Sequence, residues 1–178
     1  IYMAGEALCI HNAATGRELT MPHVIEPAAT ARRVLVVGAG VGGLEAARVA
    51  AERGHRVTVL EAMPWPGGQL RLAARNTRRR DLLGIVEWRV SELERLGVDV
   101  RYDTFADADA IDALTPDVVI IATGGLPQNP PLAAGDNLVT SSWDIMAGSV
   151  KPAESVLLYD DNGGHQGIAV TGGQSTQK

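Results

Sequence analysis

The chain has 178 residues, 46% of them apolar and 21% charged, enough for one domain with its own core and a portion of another. Its 20 glycines and 9 prolines are scattered without period, which excludes collagen-like and low-complexity chains, and the scarcity of aromatics (4%) beside abundant Ala, Val, Leu and Gly favours a parallel α/β sheet over a β-sandwich. The net charge of −5 is uneven, with 14 Lys/Arg against 11 Asp/Glu in residues 1–101 and 2 against 10 in residues 102–178.

Residues 1–30 show no sustained period and read as an irregular linker. Arg33 to Val37 is a short β-branched run, a buried strand by length and composition. Gly38 to Gly43 turns sharply, and Leu44 to Arg53 carries Leu44, Ala47, Val49 and Ala50 on one helical face, closed by Gly54. Arg56 to Leu60 is a second strand, and residues 64–80 form a loop rich in Pro, Gly and Arg. Leu82 to Leu96 repeats apolar residues at three and four, and Gly97 ends that helix; Trp88 is expected in its core face. Val98 to Tyr102 is a third strand, and Asp107 to Leu114 a short acidic helix or turn. Asp117 to Ala122, continuous in apolar residues, is expected as a fourth and central strand. After a loop over 124–137, Trp143 to Ala147 is a short helical piece and Ser155 to Tyr159 a fifth strand. The alternation predicts an α/β, Rossmann-like parallel sheet with helices on both faces.

The chemistry lies in Val34-Leu-Val-Val-Gly-Ala-Gly-Val-Gly-Gly43. Gly38, Gly40 and Gly43 hold the G-x-G-x-x-G positions between a strand and a helix. Gly38 allows the tight turn, Gly40 lets backbone approach a pyrophosphate, and Gly43 lets helix and strand pack closely. The helix N-terminus offers free N–H groups to phosphates. Glu61, 23 residues after Gly38, can accept both hydroxyls of an adenosine ribose and would repel a 2′-phosphate, which disfavours NADP at this site. An adenine dinucleotide or ADP is the expected ligand. Pro66-Gly67-Gly68-Gln69-Leu70 and Pro116-Asp-Val-Val-Ile-Ile-Ala-Thr-Gly-Gly125 lean towards FAD, so the binding residues extend to Ala62, Gly68, Gln69, Thr123 and Gly124.

The run Gly38–Glu61, the Gly67–Leu70 loop, Leu82–Trp88 and Ala122–Gly125, with Ala7-Leu-Cys-Ile-His-Asn-Ala-Ala-Thr-Gly16 and Tyr159-Asp-Asp-Asn-Gly-Gly-His-Gln-Gly167, resemble the C-terminal region of the NADH:flavin oxidoreductases that include trimethylamine dehydrogenase and bacterial 2,4-dienoyl-CoA reductase. The resemblance covers residues 7 to about 167. It implies residues 1–31 as a linker following an FMN-binding barrel and cluster region, 32–150 as the FAD- or ADP-binding domain, and 151–178 as the start of a second nucleotide-binding-like domain. Cys9 matches the last of four cysteines holding a 4Fe–4S cluster in that family, and one thiolate alone cannot hold such a cluster. The implied function is electron transfer between NAD(P)H and flavin or substrate within an iron–sulfur flavoprotein. The alternative is an ADP-binding structural domain of an amine-dehydrogenase or demethylase-like flavoprotein. Ile1 in place of Met and the polar stretch Thr171–Lys178 give the expectation of a fragment, inactive alone, whose main partner is the parent's missing FMN barrel.

Other features carry less. Arg71, Arg75, Arg78, Arg79 and Arg80 lack interleaved aromatics in an acidic chain, so no nucleic-acid partner is expected. The apolar run Val118–Ala122 is far short of a bilayer span and no charged-then-apolar leader opens the chain, so a cytoplasmic protein without membrane contact is expected; a homo-oligomer is possible. His11, His23, His55 and His165 lack ligand spacing, and Asp160-Asp161 reads as a helix cap. No residue presents itself as a catalytic acid or base.

Overall fold

The computed structural model describes residues 8–127, 133–151 and 153–160. They fall into two compact units: residues up to Gly67 with Gly84–Thr123, and Gly68–Leu83 with the residues from Gly124 on. The first unit is the α/β layer. Strands β1 (Arg33–Val37), β2 (Arg56–Leu60), β3 (Asp99–Arg101) and β4 (Val118–Ile121) form one parallel sheet in the order β3-β2-β1-β4. Helices α1 (Val41–Glu52), α3 (Leu83–Arg95) and α4 (Ala108–Leu114) make the crossovers, as parallel neighbours require.

The β-branched run of β1 explains its place. Val34 to Val37 are all buried, the burial on both faces that an unbroken apolar strand demands. On one face Leu35, Val37 and Leu60 form a cluster with Ala106, Ile111 and Leu114. Against β1, β2 and β4 lies α1, which buries Gly43, Leu44, Ala47 and Ala50. Asp107 caps α4 by accepting from the Ala110 N–H at 2.8 Å.

Two expectations about strands fail. Val118–Ile121 is the edge of the described sheet, not its centre. Val119 and Ile121, in register with Leu35 and Val37, are 38% and 66% exposed, because α4 covers only the β1–β2 side of that face. An apolar run signals a surface that needs covering, and it does not say which residues cover it. Nor is there a strand at Ser155–Tyr159: residues 153–160 are irregular and exposed, with no ladder partner among the described residues. The rest of that expected second domain, with Asp161 and His165, lies outside the described residues.

Helix α1 starts at Val41, three residues before its apolar pattern suggests. The expected loop at 64–80 contains, in the second unit, helix α2 (Gln69–Ala73) and a 3-10 turn at Thr77–Leu82, where Asn76 Oδ1 caps the turn by accepting from the Arg78 N–H. That unit also holds α5 (Ser142–Ala147), capped by Ser141. The Arg75 guanidinium donates to the Met146 and Ala147 carbonyls, a favourable place for a cation at a helix C-terminus.

Trp88 is also corrected. It is 44% exposed, with the guanidinium carbons of Arg48 and Arg89 lying 5.4 and 5.6 Å from its ring centroid. The buried residues of α3 are Ile85, Val86, Arg89 and Leu93. Arg89, 3% exposed, donates to the Ile85 carbonyl at 3.0 Å, and its Nε lies 2.9 Å from Glu45 Oε2. Glu45 also holds Arg48 at 2.6 Å, and Arg48 reaches Glu52 at 2.8 Å. A glutamate-centred ion cluster therefore fastens α3 to α1. An interior arginine breaks the apolar pattern that selected Trp88, since burial of a cation is tolerated only beside its counter-charge.

Burial alone would raise the Glu45 pKa. The hydrogen bond from Arg48 and the charges of Arg48 and Arg89 outweigh it and leave the carboxyl below its ordinary 4.5. A carboxyl depressed in the folded state contributes stability that is fully present above the unfolded pKa and is lost as pH falls through the folded value. Glu45→Gln should lower the urea midpoint at pH 7, with the gap to the parent chain closing once acidification protonates Glu45. A constant gap across that range would remove the ion cluster from the acid response. Space tests the α1–β1 contact: a Cβ on Gly43 would land on the Gly38 carbonyl oxygen, whereas one on Gly42 meets nothing within 4 Å. Gly43→Ala should cost about 3 kcal/mol in urea denaturation, while Gly42→Ala should be neutral or gain up to about 1 kcal/mol of helix propensity.

Candidate nucleotide site

The sequence-predicted turn forms at the C-terminal end of β1. Gly38 has φ +102° and donates to the Leu60 carbonyl at 2.8 Å. A side chain there would be strained, and its Cβ would sit 2.5 Å from the Ala122 carbonyl oxygen. Gly43 closes the contact from the helix side, with the Gly38 carbonyl on one flank and the Ala122 methyl on the other. Gly40 differs from both, because a Cβ on it would meet nothing within 4 Å. Its missing side chain makes no room for the protein and leaves open space at the mouth of α1.

That mouth is uncapped. Gly40 is the N-cap of α1 without a side-chain hydrogen bond, and the first turn holds no acidic residue. The Leu44 N–H is already bonded to the Gly40 carbonyl. The preceding N–H groups of Val41, Gly42 and Gly43 have no acceptor within the helix. With the helix dipole behind them they suit an anion.

Glu61 follows β2 and lies beside the turn. Its Oε2 accepts from the Ala39 N–H at 2.6 Å and its Oε1 from the Met63 N–H at 2.8 Å. Each carboxylate oxygen keeps a lone pair for a further donor. Ala39 is wholly buried, and its carbonyl accepts from the Gly67 N–H at 2.8 Å. Both polar groups of the turn's central residue are thus held by the segment after β2. Sequence reasoning missed Ala39 and Gly67 because their contribution is entirely main-chain. The open cradle at Gly40, the free donors and the carboxylate together fit a dinucleotide or nucleoside diphosphate.

The remaining predicted residues divide. Ala62 is exposed beside Glu61, and Thr123 is exposed after β4, its Cα 3.2 Å from where a Gly38 Cβ would stand; both belong to the first unit with Gly38, Gly40, Gly43 and Glu61. Gly68, Gln69 and Gly124 belong to the second. There Gly68 begins α2 with φ +50°, and Gln69 Nε2 donates to the Gly125 carbonyl at 3.1 Å. Cys9 is an exposed free thiol, its pKa lowered chiefly by the His11 and then the Asn12 backbone N–H. Among the described residues no three His, Cys, Asp or Glu side chains gather as a metal site. No helix among them is long and apolar enough to cross a membrane. Two of the histidines have structural partners: His55 Nδ1 accepts from the Arg32 N–H, and His23 meets Asn12.

A parallel sheet with a glycine turn, an open helix mouth and a carboxylate on the next strand defines a dinucleotide-binding domain of Rossmann-like type. Comparison with known proteins makes this specific. Residues 10–85 match the family model "Pyridine nucleotide-disulphide oxidoreductase", and the chain is similar to a portion of several larger oxidoreductases. It is 57% identical over 168 residues to the probable N-methylproline demethylase of Rhizobium meliloti (strain 1021), covering 94% of this chain and 25% of that protein. It is 53% identical to the multifunctional alkene reductase/demethylase OYE of Caballeronia cordobensis, covering 89% and 23%. Among solved structures, 2-naphthoyl-CoA reductase in complex with 2-naphthoyl-CoA superposes with a TM-score of 0.77 at 39% identity, covering 83% of this chain and 22% of that one. The chain spans about a quarter of the length of these relatives.

Glu61 has a structural duty that precedes any ligand. Glu61→Ala leaves the buried Ala39 N–H without its acceptor, at a cost of about 1–3 kcal/mol. Glu61→Gln, which keeps an accepting oxygen, should retain part of that stability. Urea denaturation of the ligand-free chain checks both, and unchanged stability in Glu61→Ala would show that the bond contributes nothing.

Proposed function

We propose that this chain binds FAD through its ADP portion and serves as an electron-transfer domain of an iron–sulfur flavoprotein. The observation that carries the reading is the open space at Gly40, in front of an uncapped helix and beside the Glu61 carboxylate. The pyrophosphate takes the N–H groups of α1, and Glu61 accepts from the ribose hydroxyls with the lone pairs it has left. A bound flavin would supply the redox chemistry. This chain's residues bind and orient: Gly38 and Gly43 fix the turn, Ala39 is pinned by Glu61 and Gly67, and the carboxylate disfavours a 2′-phosphate. Thr123 is assigned to the flavin end of the ligand.

Cys9 is assigned as one ligand of a 4Fe–4S cluster whose other ligands come from elsewhere in the parent polypeptide. Its exposed thiol, with backbone N–H groups favouring the thiolate, suits that role. NAD(P)H is the electron source, and an FMN-binding barrel of the parent is the partner that holds the substrate. The relatives named as N-methylproline demethylase and as N,N-dimethylglycine/sarcosine dehydrogenase support an N-methylated amino acid as that substrate.

The test is to purify the chain, denature it, and identify released nucleotide by absorbance and mass. FAD is expected, and Gly40→Leu should fold normally yet carry none, since its side chain would fill the cradle. Release of ADP alone would overturn the electron-transfer role, and a folded chain that takes up neither FAD nor ADP would overturn nucleotide binding.

A further inference from the structure

A buried ion pair alone is a poor fastening. Taking two charges out of water costs about what their attraction returns, and a hydrocarbon side chain of similar volume often packs as well. Arg89 is 3% exposed inside the α1–α3 contact all the same. What a guanidinium has and a hydrocarbon lacks is a set of donors fixed in one plane. Arg89 turns them in three directions. Its Nη1 donates to the Ile85 carbonyl of its own helix at 3.0 Å. Its Nε lies 2.9 Å from Glu45 Oε2 on α1, an ion pair without the alignment of a hydrogen bond. Its Nη2 donates to the His11 carbonyl at 3.5 Å, 78 positions away in the chain.

The segment it reaches, residues 8–23, holds neither helix nor strand. The Asn12 side chain accepts from the Ala14 N–H at 2.9 Å, and the Asn12 carbonyl from the Thr15 N–H at 3.2 Å. Glu18 accepts from the Gly16 N–H at 3.0 Å. These bonds shape the turn from within, and Ala14 is buried in it. The Arg89 bond leaves the turn and ties it to the α1–α3 contact. Cys9 stands two residues before the carbonyl that Arg89 grips. The turn, Arg89, Glu45 and the glycine turn all belong to one compact unit.

We infer that Arg89 is a positioning residue, which holds the turn carrying Cys9 at a fixed place against α1, the helix whose mouth forms the nucleotide site. Electron transfer needs a set separation between donor and acceptor. Arg89 sets it from the protein side, because the segment of the assigned cluster ligand and the helix of the nucleotide site meet on its one guanidinium. It touches neither group and acts through His11 and Glu45. The inference rests on the roles proposed above for Cys9 and α1, and adds the side chain that registers one to the other.

Amide hydrogen exchange followed by NMR at fixed pH tests it, on the full 178-residue chain and on Arg89→Lys, Glu45→Gln and the double variant. Ala14 and Thr15 report the turn, and Val36 in β1 reports the whole unit. Arg89→Lys keeps a cation and loses the planar fork that reaches Ile85, Glu45 and His11 together. Exchange at Ala14 and Thr15 should quicken about tenfold, the equivalent of one hydrogen bond to a charged group. Glu45→Gln, which keeps Arg89 and withdraws its counter-charge, should quicken the same two amides less. The double variant should go no further than Arg89→Lys, because both act through one link. A nitroxide on Cys9, the chain's single cysteine, should gain mobility in Arg89→Lys. Parental exchange at Ala14 and Thr15 with only Val36 quickened would overturn the inference, since Arg89 would then serve global stability alone. Equal rates at all three amides, additive effects in the double variant, or an unchanged nitroxide spectrum would overturn it too. A parent chain that releases neither FAD nor ADP would overturn the nucleotide reading and leave these rates as they are.

Discussion

Everything in the first unit hangs on how closely the start of α1 approaches the end of β1. There is no room for a single carbon between Gly43 and the Gly38 carbonyl, nor between Gly38 and the Ala122 carbonyl. That approach makes the chain leave the sheet abruptly, so the first turn of the helix points its N–H groups over the sheet edge. It also brings Ala39 within reach of the segment after β2. A wider turn would bury the same apolar surface and would no longer aim the helix mouth.

The sheet itself needs other fastenings. The apolar face of α1 settles on the strands, but its outward face carries Glu45, Arg48 and Glu52. These residues do more than keep the helix wet. With Arg89 and Trp88 they form the contact between α1 and α3. The helix that presents the phosphate site is therefore held from below by hydrocarbon and from the side by charge. The two fastenings answer to different conditions, the first to temperature and denaturant, the second to acid and salt.

Much of this was legible in the residues. Three β-branched runs, the spacing of Gly38, Gly40 and Gly43, and the carboxylate at position 61 are side-chain signals, and the structure brings them together in one unit. What escaped the sequence is of another kind. Ala39 and Gly67 act through main-chain groups, which every residue possesses and no pattern marks. Arg89 is buried because of a partner 44 positions away in the chain, and hydrophobic periodicity reads only the residue in its own place, so it favoured Trp88. The apolar run of β4 showed correctly that it demands cover. Whether that cover exists among the same 178 residues is a property of neighbours, as the absent strand at 155–159 also shows.

The double tie on Ala39 bears on the time course of ligand capture. With its N–H and carbonyl both engaged before anything arrives, the turn has no ordering left to do. The loss of freedom on association then falls on the ligand and not on the loop. Capture at the glycine turn is accordingly a docking event with a single kinetic phase, its rate linear in nucleotide concentration and free of the plateau that a loop-closing step would impose.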